Sequence, residues 1–357
     1  MKLEVNGSLY ENFTKARCEL RLDTLSSGFS FDAVMPEGQP LPFKGGESCR
    51  VLVDGEPVLT GFIEVVSVSY DSEDHAITIS GRDRTADLLD STLGNVDDIR
   101  ADGLTLKTLI EAVIASLGLD LAVVDEANPE PYNAAEDLAT PEPGDKAFAF
   151  IEGYARKRQV LLTSNANGDV VIAKNSGIRA DGAIQHVIGA ADNNVMASTY
   201  SYDITGRFNA YKIASSLTPV TLNLAGDTDL ASVANQGDGT TDSEIRKGRQ
   251  LVIIAEKSFS DGSCEARAKW EADIRRARGL IYSATVPGFR AGAALWRVNR
   301  IYSIVDDFIG KVEPMLSNSV LFTFDNESGR NTEIGFVGKN AYTLFLAPAE
   351  QEATSVS

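Results

Sequence analysis

Both ends of this chain are rich in strand patterns, and each end carries a long strand that turns and comes back. Near the N-terminus, Val58 to Tyr70 meets the turn Asp71-Ser72-Glu73-Asp74 and returns through His75-Ala76-Ile77-Thr78-Ile79-Ser80-Gly81. Near the C-terminus, Leu295 to Phe324 follows the same plan. A long hairpin must bury one face and pair its edges, which restricts these regions to a sheet, sandwich or barrel. The echo between them is that of two halves of a duplicated domain, on pattern alone.

Shorter runs support this reading. Arg17-Cys18-Glu19-Leu20-Arg21-Leu22 alternates polar and apolar residues, the period of a half-buried strand. Ser27 to Phe31 and Ser48 to Asp54 follow, separated by a Pro/Gly-rich loop from Pro36 to Gly46. After Gly182, strands are expected at Val195–Tyr202, Asn209–Ser216, Gln250–Ala255, Leu280–Val286, Leu295–Ile304, Val320–Phe324 and Glu333–Phe336. A helix is expected from Ser260-Asp261 to Arg278, stopped by Gly279, with Arg275, Arg276 and Arg278 suited to its C-terminal dipole.

Between the β-rich ends the period changes. Leu104, Leu106, Leu109, Ile110, Val113, Ile114 and Leu117 share one helical face, with Thr105 as N-cap and Gly118 as stop. A Pro- and acid-rich loop spans Asp125 to Gly144. A second helix is expected from Asp145, burying Phe148, Ile151 and Ala155. Asn167-Gly168 then joins two short strands as a hairpin turn. The fold class expected is multidomain α+β: two β-barrel-like tube domains, an α+β domain between them, and a helix-bearing insertion in the second barrel. The expected division is 1–100 first barrel, 101–176 α+β domain, 177–216 with 279–347 second barrel, 217–278 insertion, and 348–357 flexible tail. Within the insertion, 225–247 is polar and reads as a loop.

Composition excludes several function classes. Only His75 and His186 are present, which removes most histidine-based catalysis and transition-metal chemistry. Cys18, Cys49 and Cys264 are scattered, so neither a disulfide framework nor a zinc site is expected. The net charge of −18 opposes phosphate binding and discourages adhesion to passing DNA. No stretch has the length and apolarity of a membrane helix, and the first residues have no signal-peptide core, so synthesis and first folding are expected in the cytoplasm.

Searches for catalytic motifs return nothing of the hydrolase, zincin, Walker or dinucleotide types. Asn235-Gln236-Gly237-Asp238-Gly239 is faintly like a calcium loop, but the register puts Ala234 and Ile245 at ligand positions, which fails. Asp97-Asp98 and Asp306-Asp307 read as solvated turns. Arg246-Lys247-Gly248-Arg249 and the Arg267–Arg278 helix read as solvated basic faces, since acids alternate along the helix. Trp270 and Trp296 lie far apart and read as core or interface residues. The segment Gly81-Arg82-Asp83-Arg84-Thr85-Ala86-Asp87-Leu88-Leu89-Asp90 stands out. It reads as a strand exit into a helical turn, with Asp83 as a cap and Arg82 and Arg84 reaching Asp87 or Asp90 in a structural ion-pair corner.

That segment, with Leu59-Thr60-Gly61-Phe62-Ile63-Glu64, the Tyr70-Asp71 turn, Leu295-Trp296-Arg297-Val298-Asn299, the Ile304 to Asp307 step and Met315-Leu316 to Phe324, resembles the tail hub proteins of contractile phages, above all the Mu type. The resemblance covers nearly the whole chain. It implies a homotrimeric ring of two related barrels per subunit, adapting a sixfold tail tube to a threefold spike, with the same module at the base of type VI secretion spikes. It implies a virion baseplate location and assembly in the host cytoplasm. The implied partners are the spike, the tube and other baseplate proteins, with DNA passing through the ring unbound. It implies no catalytic residue, cofactor or metal, and no length is left for a fused lysin. Gly61, Gly81, Arg82, Asp83, Arg84, Asp87, Leu88 and Asp90 are its structural motif residues. The competing expectations are a tail-tip cell-wall hydrolase and a carbohydrate-binding module.

Overall fold

The computed structural model describes residues 1–34, 42–70, 75–94, 99, 104–132, 140–214, 237–254 and 261–343. The expected turn at 71–74, Asp97-Asp98, the first part of the 225–247 loop and the 348–357 tail lie outside the described residues.

The N-terminal part is β1 (Lys2–Val5), β2 (Ser8–Tyr10), β3 (Lys15–Arg21), β4 (Gly28–Val34), β5 (Ser48–Val53), β6 (Glu56–Tyr70) and β7 (His75–Asp83). Alternate residues of these strands, such as Ala16 and Cys18, Phe29 and Phe31, Cys49 and Val51, are buried together. The middle part is α1 (Ala86–Asp90), α2 (Leu106–Leu117), β8 (Val123–Asp125), α3 (Ala147–Lys157), β9 (Leu161–Ser164) and β10 (Val170–Ala173). Thr105 caps α2 by accepting from the Thr108 amide, and Gly118 ends it in the left-handed region at φ 67°. The apolar face foreseen for α2 packs against α3, which starts at Ala147 rather than Asp145, over the small sheet β8-β10-β9. Leu88 and Leu93 belong to this second core.

The remainder is β11 (Arg179–His186), β12 (Ala197–Tyr202), β13 (Ala210–Ala214), β14 (Gly237–Thr241), β15 (Gln250–Ile254), α4 (Asp261–Gly279), β16 (Leu280–Pro287), β17 (Arg290–Ala291), β18 (Ala294–Leu295), β19 (Ile301–Asp306), β20 (Lys311–Asp325) and β21 (Gly329–Gly338). Two expectations fail here. Ala210–Ala214 joins the inserted sheet β14-β13-β15 instead of the second barrel. Gly237–Thr241, placed in a polar loop because it lacks apolar residues, is that sheet's edge strand, paired through its backbone with β13. Trp270 and Trp296 are buried, as expected.

The chain is therefore α+β and multidomain, and mostly β. Among the described residues, one thirteen-stranded sheet takes strands from both the N-terminal and the C-terminal parts of the chain. Its first half runs β3-β4-β7-β6-β5-β1 and its second runs β12-β16-β21-β20-β19-β11. Taken in chain order within each half, these are the same strand order. Each half is built on a 15-residue strand broken by a bulge, between Ile63 and Val65 in β6 and between Ser317 and Ser319 in β20. The copies differ at one outer strand: β1 is antiparallel to β5, whereas β11 is parallel to β19. The halves join where Ser319–Asp325 of β20 pairs with β3. They share one apolar core, and Asp54 and Glu56 of the first half bind Arg290, Arg297 and Arg330 of the second.

Candidate functional site

The motif corner is built by close backbone approach. A Cβ on Gly61 would sit 2.0 Å from the Arg82 carbonyl oxygen, and one on Gly81 would sit 2.0 Å from that of Phe62. Neither glycine is needed for its φ angle. Both are needed because β6 and β7 touch just before the bulge.

Strand β7 then delivers Asp83 into the interior, where it is 1% exposed. Its carboxylate accepts from Ser26 Oγ at 3.0 Å, Ser27 N at 2.8 Å, Thr85 N at 3.1 Å, Thr85 Oγ1 at 2.5 Å and Ser164 Oγ at 2.5 Å. Burial pushes the Asp83 carboxyl above the usual range, and these uncharged donors offset only part of that push. The donors come from the loop before β4, from the corner itself and from β9, so one side chain ties three segments. Thr85 adds a hydrogen bond to the Leu25 carbonyl at 3.0 Å. Thr60 reaches the Ala166 carbonyl at 2.8 Å, and Thr163 reaches that of Arg21 at 2.9 Å. Asp83 is thus a joint more than a helix cap: it holds the cap residue Thr85, and α1 itself has no side-chain cap bond.

The charged residues split. Arg82 takes Glu64 at 2.6 Å and Asp90 at 2.6 Å, and the Arg82 bond holds Asp90 below its ordinary range. Arg84 reaches neither Asp87 nor Asp90; it meets exposed Asp120 at 3.1 Å. Asp87 is exposed in the first turn of α1, and Leu88 is fully buried in the α2–α3 core.

A cavity of about 340 Å³ lies beside the corner, lined by Asp83, Ser164, Asn165, Trp296, Arg297 and Asn299. Both Asp83 oxygens are already engaged by protein donors. Among the described residues no group of three or more His, Cys, Asp or Glu side chains converges as a metal site. Glu126 is the other carboxyl on the cavity wall, but with Asp83 committed to its protein donors this arrangement fixes backbone.

Two further polar cores were not legible as such. Asp306, expected in a solvated turn, is 0% exposed, while Asp307 is exposed. The two neighbours point to opposite sides, and Asp306 faces the Tyr282 hydroxyl at 2.9 Å, His186 Nδ1 at 3.2 Å and the Phe308 amide at 3.1 Å. Burial raises its pKa, but the Tyr282 and His186 contacts outweigh burial and hold it below the usual value. In the insertion, buried Arg207 binds buried Asp242 at 2.7 Å, together with Glu244 and the Tyr202 hydroxyl. The basic helix face is likewise neutralised: Arg267 and Arg275 pair with Glu271, and Arg276 pairs with Asp273 and Asp242.

The corner falls on a family boundary. Residues 1–83 match the Mu phage baseplate assembly protein GpP-like N-terminal domain, and residues 85–174 match the second domain of baseplate hub protein gp44-like chains. Residues 260–344 match the fourth domain of Mu phage baseplate assembly protein GpP. The chain belongs to the Mu-type baseplate hub family. The baseplate hub protein gp44 of Escherichia phage Mu is 23% identical over 98% of this chain and 90% of its own. The 43 kDa tail protein of prophage MuSo2 from Shewanella oneidensis has a TM-score of 0.79 at 26% identity, covering 96% of this chain and 99% of that one. An E. coli component of the type VI secretion system, described as structurally similar to T4 tail proteins gp27 and gp5, shares the fold, with a TM-score of 0.59 at 10% identity over 98% of this chain and 80% of its own. These hub relatives are structural tail components, and this hub is a structural protein rather than an enzyme.

Proposed function

We propose that three copies of this hub close into a ring at the centre of a phage baseplate, adapting the sixfold tail tube to the threefold central spike. The observation that carries this reading is the repeated strand order. Two like halves in one chain give three copies six like modules, so one ring offers sixfold symmetry on one side and threefold on the other. Each half forms a barrel-like tube domain. The α+β part is fixed to the first by the joint at Gly61, Gly81, Arg82, Asp83, Arg84, Asp87, Leu88 and Asp90. Spike, tube and other baseplate proteins are the partners, and the assembly forms in the host bacterial cytoplasm before it serves in the virion tail. The net charge of −18 supports passage of DNA through the ring without adhesion.

Light scattering on the purified full chain tests the reading. A mass three times that of one chain is expected, and a strict monomer at high concentration overturns it. Both oxygens of Asp83, the buried carboxylate on the cavity wall, are taken up by protein donors, which speaks against the hydrolase alternative.

A further inference from the structure

The cavity beside the corner lies where the three parts of the chain meet. Leu20 and Val58 come from the first β half, Val171 and Ala173 from the α+β part, and Trp296 and Arg300 from the second half. An apolar cavity of about 150 Å³ holds one benzene ring, so 340 Å³ has room for about a dozen heavy atoms.

The polar groups on this wall are unevenly spent. The buried acceptors are engaged. Asp83 holds the donors described above, Asn165 Oδ1 accepts from the Asn167 and Asp169 amides at 2.9 and 3.0 Å, and Asn299 Oδ1 accepts from the Ser176 amide at 2.9 Å. Two donors are not engaged in the same way. Trp296 is 2% exposed, and its indole Nε1 is buried with no hydrogen-bond partner, whereas buried indoles ordinarily have one. Arg300 is half-buried, and its guanidinium donates to the Asn299 carbonyl at 2.9 Å but meets no carboxylate among the described residues. That is unexpected in a chain with 51 acidic residues against 33 basic ones. The other arginines of the wall are paired, Arg21 with Asp23 at 3.1 Å and Arg297 with Glu56 at 2.9 Å. Glu126 is exposed and so belongs to the rim.

Spare donors beside apolar walls call for an acceptor on an apolar body. We infer that this cavity binds a small monocarboxylate with an apolar body of about ten carbons, its carboxylate on Arg300 and its body against Leu20, Val58 and Val171. A neutral apolar molecule would seal Arg300 from water without an acceptor. A multiply charged anion would bring more charge than one unpaired guanidinium balances, past Glu126 and into a chain of net charge −18. Because all three parts wall the cavity, an occupant holds them in their present arrangement by mass action. The site lies within one chain, so the inference does not depend on the number of copies.

Calorimetric titration of the purified full chain with 4-phenylbutyrate, beside its amide of the same shape, tests it. The acid is expected to bind once per chain, and the amide about tenfold more weakly. Arg300→Gln is expected to bring the acid down to the level of the amide and to leave the amide unchanged. Ala166→Phe, which fills the cavity from the β9–β10 turn, is expected to abolish both. In Trp270→Phe the sole tryptophan is Trp296, and its fluorescence is expected to change as the acid saturates the site. Circular dichroism checks that each variant is folded. No binding of the acid at millimolar concentration, equal binding of acid and amide, or undiminished acid binding by folded Arg300→Gln overturns the site. The comparison of acid with amide needs no variant, so it decides the matter even where a substitution prevents folding.

Discussion

The first β half passes from β3 to β4 through residues 22–27, whereas the second opens between β12 and β16 to admit a three-stranded sheet and α4. The strand order survives this insertion. What the halves share is the bulged 15-residue strand and its neighbours, and what they vary is the loops. Their polar locks also differ. The first half closes on Asp83, held by uncharged donors, while the second closes on Asp306, held by Tyr282 and His186, with Arg207 and Asp242 anchoring the insertion. The lesson is that edge pairing and an alternating apolar face define this module, while the locking chemistry is local.

The strongest way to break that comparison is Arg207→Ala. It leaves Asp242 buried without its main cation, at a cost of about 3–5 kcal/mol. Thermal unfolding followed by hydrogen exchange is expected to show the loss in β13–β15 and α4, with β3–β7 protected as before. Equal loss in both halves contradicts independent locks.

Next comes the glycine contrast. Gly81→Ala drives a methyl against backbone and is expected to cost about 3 kcal/mol. Gly335→Ala meets the Ser319 hydroxyl at 2.3 Å, a side chain that can rotate, so a loss of about 1 kcal/mol is expected in denaturant titrations.

A smaller effect separates the two carboxylates by pH. Asp83 has a raised folded pKa, so the folded chain holds more protons above the reference 3.8, and stability falls as pH climbs through the folded value. Asp306 is lowered, so its stabilisation is present above 3.8 and is lost as pH falls through its folded value. Melting temperatures against pH are expected to lose these opposite slopes in Asp83→Asn and Asp306→Asn respectively. Arg84→Ala, which removes only an exposed pair with Asp120, is expected to change stability by less than about 0.5 kcal/mol.

Local signals made much of this legible from sequence. The long hairpins announced themselves by alternation, α2 by its apolar spacing and its Thr105 and Gly118 ends, and the β9–β10 hairpin by Asn167-Gly168. What stayed hidden depends on contacts far apart in the chain. Asp83 finds Ser27 and Ser164 across 56 and 81 residues, and Arg84 finds Asp120 instead of its near neighbours. Asp306 looked like half of a surface acid pair because its partners, Tyr282 and His186, come from other strands. The Gly81–Asp90 segment was visible as unusual, but its position between two cores appears only when Leu88 packs with α2 and α3.

Electron microscopy of the purified full chain tests the central claim most directly. Averaged particles are expected to show a closed ring of three copies with six similar β modules around its axis. Single copies, or a ring built from any other number, contradict the account.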